Sequence, residues 1–137
     1  MVGIDIVETG RVKKIYQKHG LLFLKKILVK EEIKELSLKK SHYFFKGLSC
    51  YIASKEAIFK ACSEDDLDWK DISIQNITKN PLIRIKKPDF KKKIMLSFAI
   101  SRDIVLSQAL VAVKDLNHKE GIDNLPLRQV VDINSDE

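Results

Sequence analysis

The chain has 137 residues, of which 45% are hydrophobic and 32% are charged. This length and composition are typical of one globular domain with its own core. No apolar run approaches the roughly 20 residues that a membrane-spanning helix needs, so we expect no membrane span. Two cysteines, Cys50 and Cys62, fit no zinc or redox spacing and are too few for a disulfide framework. They predict reduced thiols and a cytoplasmic location.

The net charge of +6 is unevenly distributed along the chain. Residues 115–137 carry six acids and two bases, a balance of −4, which leaves +10 on residues 1–114. A basic body of this kind favours an anionic partner, such as a nucleic acid, a phosphorylated ligand or an acidic protein. We predict one domain over residues 1–114, followed by an acidic and mobile C-terminal tail over residues 115–137.

The periodicity of the sequence predicts a strand, then helices, then two antiparallel hairpins. The short β-branched segment 2–7 favours a strand. Helical spacing follows, with Gly20 as a stop, over residues 8–19, 21–29, 30–40 and 42–62. The period then changes to two, which predicts strands at residues 72–77, 82–85, 94–101 and 104–113, with turns at Asn80-Pro81 and Arg102-Asp103. Because helices and strands are segregated, the predicted fold class is α+β with a mostly antiparallel sheet.

Two carboxylates occupy positions that are unusual for acidic residues. Asp5 lies in the middle of the first apolar strand, where Asp is disfavoured and a buried carboxylate needs a partner or a metal. An edge cap or a pair with a lysine is the structural explanation for this residue. Glu56 lies inside an apolar helical stripe made by Phe45, Leu48, Ile52 and Phe59. A structural ion pair between Glu56 and Lys60, one helical turn later, is one explanation for the second carboxylate. A functional site is the other.

Asp5 and Glu56 together supply two oxygen ligands from different elements. Mg²⁺ is often bound by one or two carboxylates, with phosphate and water completing its octahedron. A nearby lysine such as Lys60 suits phosphate chemistry, either as a fixed charge or as a base. The sequence has no Gly-rich phosphate loop and no obvious aromatic platform for stacking bases. A nucleic-acid-binding function therefore has only the basic charge in its favour, and we expect no nucleic-acid partner.

Three segments resemble the holo-acyl-carrier-protein synthases, a family of the 4'-phosphopantetheinyl transferase superfamily. Residues 3–8 (GIDIVE), followed by Arg11, resemble the opening strand of that family. Residues 53–61 (ASKEAIFKA) resemble its helix motif, A-x-K-E-A-x-x-K-A, and residues 69–74 (WKDISI) are similar to its next strand. The resemblance covers residues 1–114 and implies the 4'-phosphopantetheinyl transferase fold.

The resemblance also implies an activity and the residues that carry it. The implied reaction transfers 4'-phosphopantetheine from coenzyme A to a serine of an apo acyl carrier protein, a step that supports fatty acid biosynthesis. Asp5 and Glu56 are the implied Mg²⁺ ligands, and Glu56 and Lys60 the implied catalytic residues, with Lys60 in contact with phosphate. The basic residues of the first helix are implied to bind the acidic carrier: Arg11, Lys14 and Lys18. Such enzymes typically form homotrimers with active sites between subunits.

The sequence departs from the family pattern in three places. Ser101-Arg102 stands where a Ser-His pair is usual, residues 63–66 (SEDD) replace a Gly-rich turn, and Tyr51 replaces a usual arginine. An arginine can still bind phosphate through bidentate hydrogen bonds, so Ser101 and Arg102 are assigned with Lys60 to the coenzyme A site. These departures leave open an alternative, a catalytically weak or inactive homologue that binds carrier protein or nucleotide.

Overall fold

The computed structural model describes residues 1–113 and 130–132 of the chain. The predicted tail over residues 115–137 falls largely outside these residues, and its mobility stays a prediction. Within them, one strand is followed by three helices and five further strands: β1 Val2–Glu8, α1 Thr9–Ile27, α2 Lys30–Ser37, α3 Ser41–Ala61, β2 Ile72–Gln75, β3 Leu82–Ile85, β4 Lys92–Ile100, β5 Ile104–Val113 and β6 Val130–Asp132. The predicted α+β class is confirmed.

The strands form two sheets. Four strands make the larger sheet in the order β1-β5-β4-β6, and β2 with β3 makes a separate antiparallel hairpin. The turn between β4 and β5 is the predicted tight one at Arg102-Asp103, where the Ser101 amide donates to the Ile104 carbonyl at 2.9 Å. The sequence did not predict β6, which pairs in parallel with residues 98–100 of β4. Ile77, which was assigned to a strand, lies beyond β2 but is fully buried.

Helix α1 contains the predicted break at Gly20. This residue has φ 56° and ψ −137°, and the left-handed region is one that glycine enters at no steric cost. The two helices expected on either side of Gly20 are therefore the two halves of α1. Among the described residues, no helix has both the length and the apolar character to cross a membrane.

Helix α3 packs against one face of the larger sheet and forms the centre of the core. Most of its side chains from Gly47 to Ala61 are buried, which explains why its apolar residues do not follow a single narrow stripe. On the strands, the residues that face the helix alternate with outward ones, as in Val105, Ser107 and Ala109 of β5. The helix thus covers one face of the sheet.

The opposite face of the larger sheet exposes apolar side chains on β1 and β5, interrupted by Gln108. Ile6 pairs with Leu106, and Val2 with Leu110, so the outward side chains of β1 and β5 adjoin each other. Their exposed fractions range from 39% for Leu106 and Leu110 to 62% for Ile6. An antiparallel sheet with one solvated face usually shows polar residues there, and contiguous apolar area of this kind marks an interaction surface.

Candidate active site

Gly3 brings strand β1 unusually close to helix α3. A Cβ atom at this position would overlap the carbonyl oxygen of Ala57 and lie 2.6 Å from the amide nitrogen of Ala61. Only glycine fits at such a distance, and the small Ala57 and Ala61 face it from the helix. This contact fixes the separation between the strand that carries Asp5 and the helix turn that carries Glu56 and Lys60.

Asp5 and Lys60 form an ion pair across the strand and the helix. The Lys60 Nζ donates to Asp5 Oδ1 at 2.7 Å and to the carbonyl oxygen of Ile4 at 3.1 Å. The lysine side chain is 52% exposed and the aspartate 18%, so the pair borders solvent. The hydrogen bond to Asp5 raises the pKa of Lys60, which is therefore a cation at neutral pH.

Glu56 lies beside this pair without taking Lys60 as its ion-pair partner. The structural Glu56–Lys60 pair considered from the sequence is thus replaced by a Lys60–Asp5 pair. Burial and the neighbouring Asp5 charge both raise the pKa of Glu56, while Lys60 opposes them. Two acids that repel each other beside a cavity are the arrangement that a divalent cation relieves.

Asp5, Glu56 and Arg11 line one cavity of about 370 Å³. The rest of its wall is mainly apolar and comes from β1, α1, α3 and the connector before β2: Ile6, Val7, Glu8, Val12, Ile15, Phe23, Ile27, Ile52 and Trp69. A mostly apolar pocket with a few converging polar groups is the usual form of a small-molecule site. Among the described residues, no cluster of three or more acids, histidines or cysteines forms a complete metal cage.

The other predicted site residues are only partly brought together. Arg11 faces the cavity from the first turns of α1, whereas Lys14 and Lys18 are exposed farther along the same helix. Arg102 lines a second cavity of about 340 Å³, together with Lys13 and Lys46. Within one chain, Arg102 is therefore separate from the cavity that contains Asp5 and Glu56.

Two of the three departures from the family pattern have a structural explanation. Tyr51 is fully buried and donates to Glu35 Oε2 at 2.9 Å, so it belongs to the core and not to a nucleotide surface. In the acidic turn, Asp66 has φ 48°, a conformation that a glycine would usually provide. Asp65 pairs with Lys92 at 2.7 Å, which compensates the charge of one acid in this turn.

Lys87 holds the backbone of the same acidic turn. Its Nζ donates to the carbonyl oxygens of Asp65 at 2.6 Å and Asp66 at 2.7 Å. The turn that lacks glycine is therefore stabilised by two lysines from later in the chain, Lys87 and Lys92. The sequence pattern gave no sign of these long-range partners.

Sequence reasoning also missed a buried ion pair next to the site. Lys55 and Glu32 are 0% and 1% exposed, and their charged atoms are 2.8 Å apart. In the sequence, Lys55 was noted only as part of the helix motif at residues 53–61. Glu32 did not stand out from the other acids of α2. Burial raises the pKa of Glu32, and the Lys55 charge opposes this rise.

Comparison with known proteins identifies the class of this chain. The family model described as the 4'-phosphopantetheinyl transferase superfamily matches residues 1–110. The chain belongs to that superfamily, and the family resemblance predicted from residues 3–8 and 53–61 is confirmed.

Individual relatives narrow the similarity to one branch of this superfamily. A holo-[acyl-carrier-protein] synthase of Thermodesulfovibrio yellowstonii is 35% identical over 112 residues, which cover 80% of this chain and 96% of the relative. One of Chloroherpeton thalassium is 38% identical over 91 residues, covering 64% and 74% respectively. The crystal structure of the Helicobacter pylori holo-[acyl-carrier-protein] synthase in complex with coenzyme A is 28% identical, with a TM-score of 0.70, and the match covers 82% of this chain and all of that one.

Proposed function

We propose that this protein is a holo-acyl-carrier-protein synthase. It transfers 4'-phosphopantetheine from coenzyme A to a serine of an apo acyl carrier protein, and residues 1–114 form the transferase domain. The observation that carries this proposal is the convergence of Asp5, Glu56 and Lys60 at one end of the β1–α3 contact, beside a ligand-sized cavity. The names of the relatives and the superfamily match support the same activity.

Asp5 and Glu56 are the residues that would hold Mg²⁺. Carboxylate oxygens are the ligands that this hard cation prefers, and two protein carboxylates suffice when phosphate oxygens and water supply the remaining positions. The repulsion between Asp5 and Glu56, which raises the pKa of Glu56, supports the fit because a cation between them would remove it. When bound, Mg²⁺ would neutralise negative charge on the diphosphate of coenzyme A.

Lys60 acts first as a cation toward the diphosphate. Its side chain is half exposed and pairs with Asp5, which lines the cavity. In the reaction, the serine oxygen forms a bond to the β-phosphorus of coenzyme A, and the bond from that phosphorus to 3′,5′-adenosine bisphosphate breaks. Because Lys60 is protonated at neutral pH, it accepts the serine proton only after releasing its own.

The carrier protein would dock along helix α1. Arg11 faces the cavity, and Lys14 and Lys18 extend the positive charge along the exposed side of the helix. Acyl carrier proteins are acidic, so complementary charge would steer their approach and orient the acceptor serine toward Asp5 and Lys60. Basic residues at the rim of a docking surface act mainly on the rate of association.

We propose a homotrimer in which neighbouring subunits complete each active site. The exposed apolar face of β1 and β5 supports this proposal, because it has the composition of an interface. The separation of Ser101 and Arg102 from the Asp5 cavity within one chain also supports a trimer. In a trimer, the β4–β5 turn of a neighbouring subunit could contact the coenzyme A bound in that cavity. Sedimentation equilibrium tests the proposal: a mass of one chain would contradict it.

A cytoplasmic location is proposed from the free thiols of Cys50 and Cys62.

Mass spectrometry of the carrier protein tests the activity directly. The purified protein is incubated with coenzyme A, Mg²⁺ and an apo acyl carrier protein, and the carrier is weighed. We expect the mass of one phosphopantetheine to be added, and EDTA to abolish the addition. A carrier variant whose acceptor serine is alanine serves as the control. No addition, with carrier protein or coenzyme A still bound in calorimetry, would favour the alternative of an inactive binding homologue.

A further inference from the structure

Lys55 is a fully buried cation with three hydrogen-bond acceptors. Its Nζ lies 2.8 Å from Glu32 Oε2, 2.9 Å from the carbonyl oxygen of Ile27 and 2.9 Å from the carbonyl oxygen of Trp69. A neutral amine has only two N–H groups, whereas an ammonium has three. The three acceptors match the three N–H groups of an ammonium, one acceptor for each donor.

Glu32 extends this network to two further segments. Its Oε2 atom also accepts from the Val29 amide at 2.9 Å, and Oε1 accepts from the Ile74 amide at 2.8 Å. The pair thus joins the end of α1, the start of α2, strand β2 and the connector before it to the middle of α3. Within the described residues, no buried side-chain nitrogen or oxygen lacks a hydrogen-bond partner.

Two of the three acceptors of Lys55 belong to residues that line the candidate active-site cavity. Ile27 and Trp69 both contribute to its wall, and they come from segments 42 residues apart in the sequence. Glu56, the next residue after Lys55, lines the same cavity. The ring of Trp69 also packs edge-on against Phe59 of α3, with the ring centroids 5.1 Å apart. Lys55 is therefore the group that ties two separate parts of this wall to the helix that carries Glu56 and Lys60.

We propose that Lys55 is a positioning residue for the transfer reaction, acting on the substrate through Ile27 and Trp69. This proposal rests on the proposed function of the cavity. A buried ion pair generally contributes little more to stability than apolar residues of the same volume. An apolar side chain would fill the space of Lys55 but would leave two wall carbonyls without donors, and the wall would relax. The role that distinguishes lysine at this position is thus control of the cavity shape.

Two variants separate positioning from simple stability. Lys55→Met removes the cation and leaves Glu32 buried without its partner. Adding Glu32→Gln removes that uncompensated charge, so the double variant is expected to recover part of the lost thermal stability. The recovery is partial because the one carbonyl oxygen of Gln accepts from only one of the Val29 and Ile74 amides. Both variants leave the carbonyls of Ile27 and Trp69 without the lysine. Positioning predicts that the double variant keeps the functional defect while its melting temperature rises toward that of the wild type.

The kinetic measurement compares how far KM and kcat each change in the two variants. For both variants we expect KM to rise about tenfold for the substrate that fills the cavity, coenzyme A or carrier protein, because small displacements of a binding wall are costly. We expect kcat to change less than about threefold, since Asp5, Glu56 and Lys60 are untouched. A double variant with wild-type KM values for both substrates would overturn the proposal.

Trp69 provides a readout that does not depend on activity. It is the only tryptophan of the chain, so intrinsic fluorescence and its quenching by acrylamide report on this part of the wall alone. We expect stronger quenching in both variants and near-normal quenching in Lys55→Arg, which keeps a charged multiple donor. Lys70→Met, a change at the exposed neighbour of Trp69, controls for the loss of a charge and should leave quenching unchanged.

The two proposals fail in different ways. If the wild type transfers no phosphopantetheine, the proposed function fails, and the quenching of Trp69 still tests whether Lys55 holds the wall. If the wild type is active and the folded double variant shows wild-type quenching, the positioning role is wrong and the proposed function stands. Should Lys55→Met not fold, Lys55→Arg and the double variant carry the same comparison.

Discussion

Helix α3 contributes one lysine to each of two ion pairs that have the same chemistry and opposite surroundings. Lys55 meets Glu32 at 2.8 Å with both side chains essentially unexposed. Lys60 meets Asp5 at 2.7 Å, but its side chain is 52% exposed. The distances are almost equal, so distance does not distinguish a structural pair from a functional one. Access to solvent does, because only the second pair has room for a ligand to enter.

The acceptors around each lysine lead to the same distinction. Lys55 has three protein acceptors and no free donor, so a change of partner would cost a buried hydrogen bond. Lys60 has two protein acceptors, Asp5 and the Ile4 carbonyl, and keeps a third donor at the solvent side. An ion pair in this setting contributes little to stability and exchanges partners readily. Such a pair suits the proposed site for Mg²⁺ and the diphosphate of coenzyme A.

The largest effect expected at the exposed pair is on turnover. Asp5→Ala and Glu56→Ala each remove one of the two proposed Mg²⁺ ligands, and we expect transfer to fall by about a thousandfold or more. The fold should be retained, because neither side chain is fully buried. Carrier modification with time at saturating Mg²⁺ is the measurement, and Asp89→Ala, at an exposed acid outside both cavities, is the control. Full activity in either variant would contradict the assignment of Asp5 and Glu56 as Mg²⁺ ligands.

Truncating the two lysines in parallel sharpens the comparison. Lys55→Met leaves Glu32 buried and unpaired, and we expect the free energy of unfolding to fall by about 3–5 kcal/mol. Lys60→Met should leave the urea midpoint nearly unchanged and yet lose most of the transfer activity, because its pair lies at the surface. Urea unfolding followed by circular dichroism, with the transfer assay at the same temperature, separates these outcomes. Equal stability losses in the two variants would contradict the assigned roles.

The sequence singled out Asp5, Glu56 and Lys60 around the exposed pair but not the buried pair, for a physical reason. Asp5 in an apolar strand and Glu56 in an apolar stripe conflict with their local patterns, and local conflict is visible in a sequence. Lys55 lies one residue from Glu56, but lysine in a helix conflicts with no propensity. Its burial depends on α2 and on the connector before β2, which only the tertiary structure brings together.

The partners of Lys60 and of the acidic turn show the same limit. Spacing along α3 favoured Glu56 as the partner of Lys60, but the close approach at Gly3 makes Asp5 available instead. The acidic turn at residues 63–66 is held by Lys87 and Lys92, partners that the sequence did not indicate. Element types and order from β1 to β5 were predictable because hydrophobic periodicity is local. The contacts of Lys60 with Asp5, and of Lys87 and Lys92 with the acidic turn, were not predictable because they join segments that are distant in the sequence.

Gly3 offers a way to disturb the exposed pair without touching its charges. Gly3→Ala puts a methyl group against the backbone of α3, and overpacking of this kind costs about 1–3 kcal/mol. Because strand and helix must separate, we expect the Asp5–Lys60 contact to lengthen and transfer to fall.

Gly10→Ala is the matched control, since a Cβ atom added there meets nothing within 4 Å beyond its chain neighbours and its own helix backbone. In the first turns of α1 this change should be neutral or stabilise by up to about 1 kcal/mol. Differential scanning calorimetry and the transfer assay measure both variants. Equal melting temperatures for Gly3→Ala and the wild type would mean that the close strand–helix contact has little importance.

The smallest effect expected is a gain in stability from removing the Glu56 charge. Burial and Asp5 raise the pKa of Glu56 above its ordinary value of 4.5, so the ionised carboxylate is less favourable in the folded chain than in the unfolded one. The resulting cost is present above the raised pKa and absent below 4.5, where both states are protonated. In EDTA at pH 7.5, Glu56→Gln should therefore raise the free energy of unfolding, by less than about 1 kcal/mol because the group is partly solvated.

The pH dependence of that gain is what identifies its origin. Below pH 4.5 the gain should disappear, and Glu64→Gln, at an exposed acid, should show no gain at either pH. A gain that persists in acid would come from packing and not from charge. Adding Mg²⁺ at pH 7.5 should stabilise the wild type but not Glu56→Gln, since a cation that binds only the folded state shifts the unfolding equilibrium. The ionised Glu56 would then lower the free energy of unfolding of the metal-free protein, and Mg²⁺ binding would remove that loss.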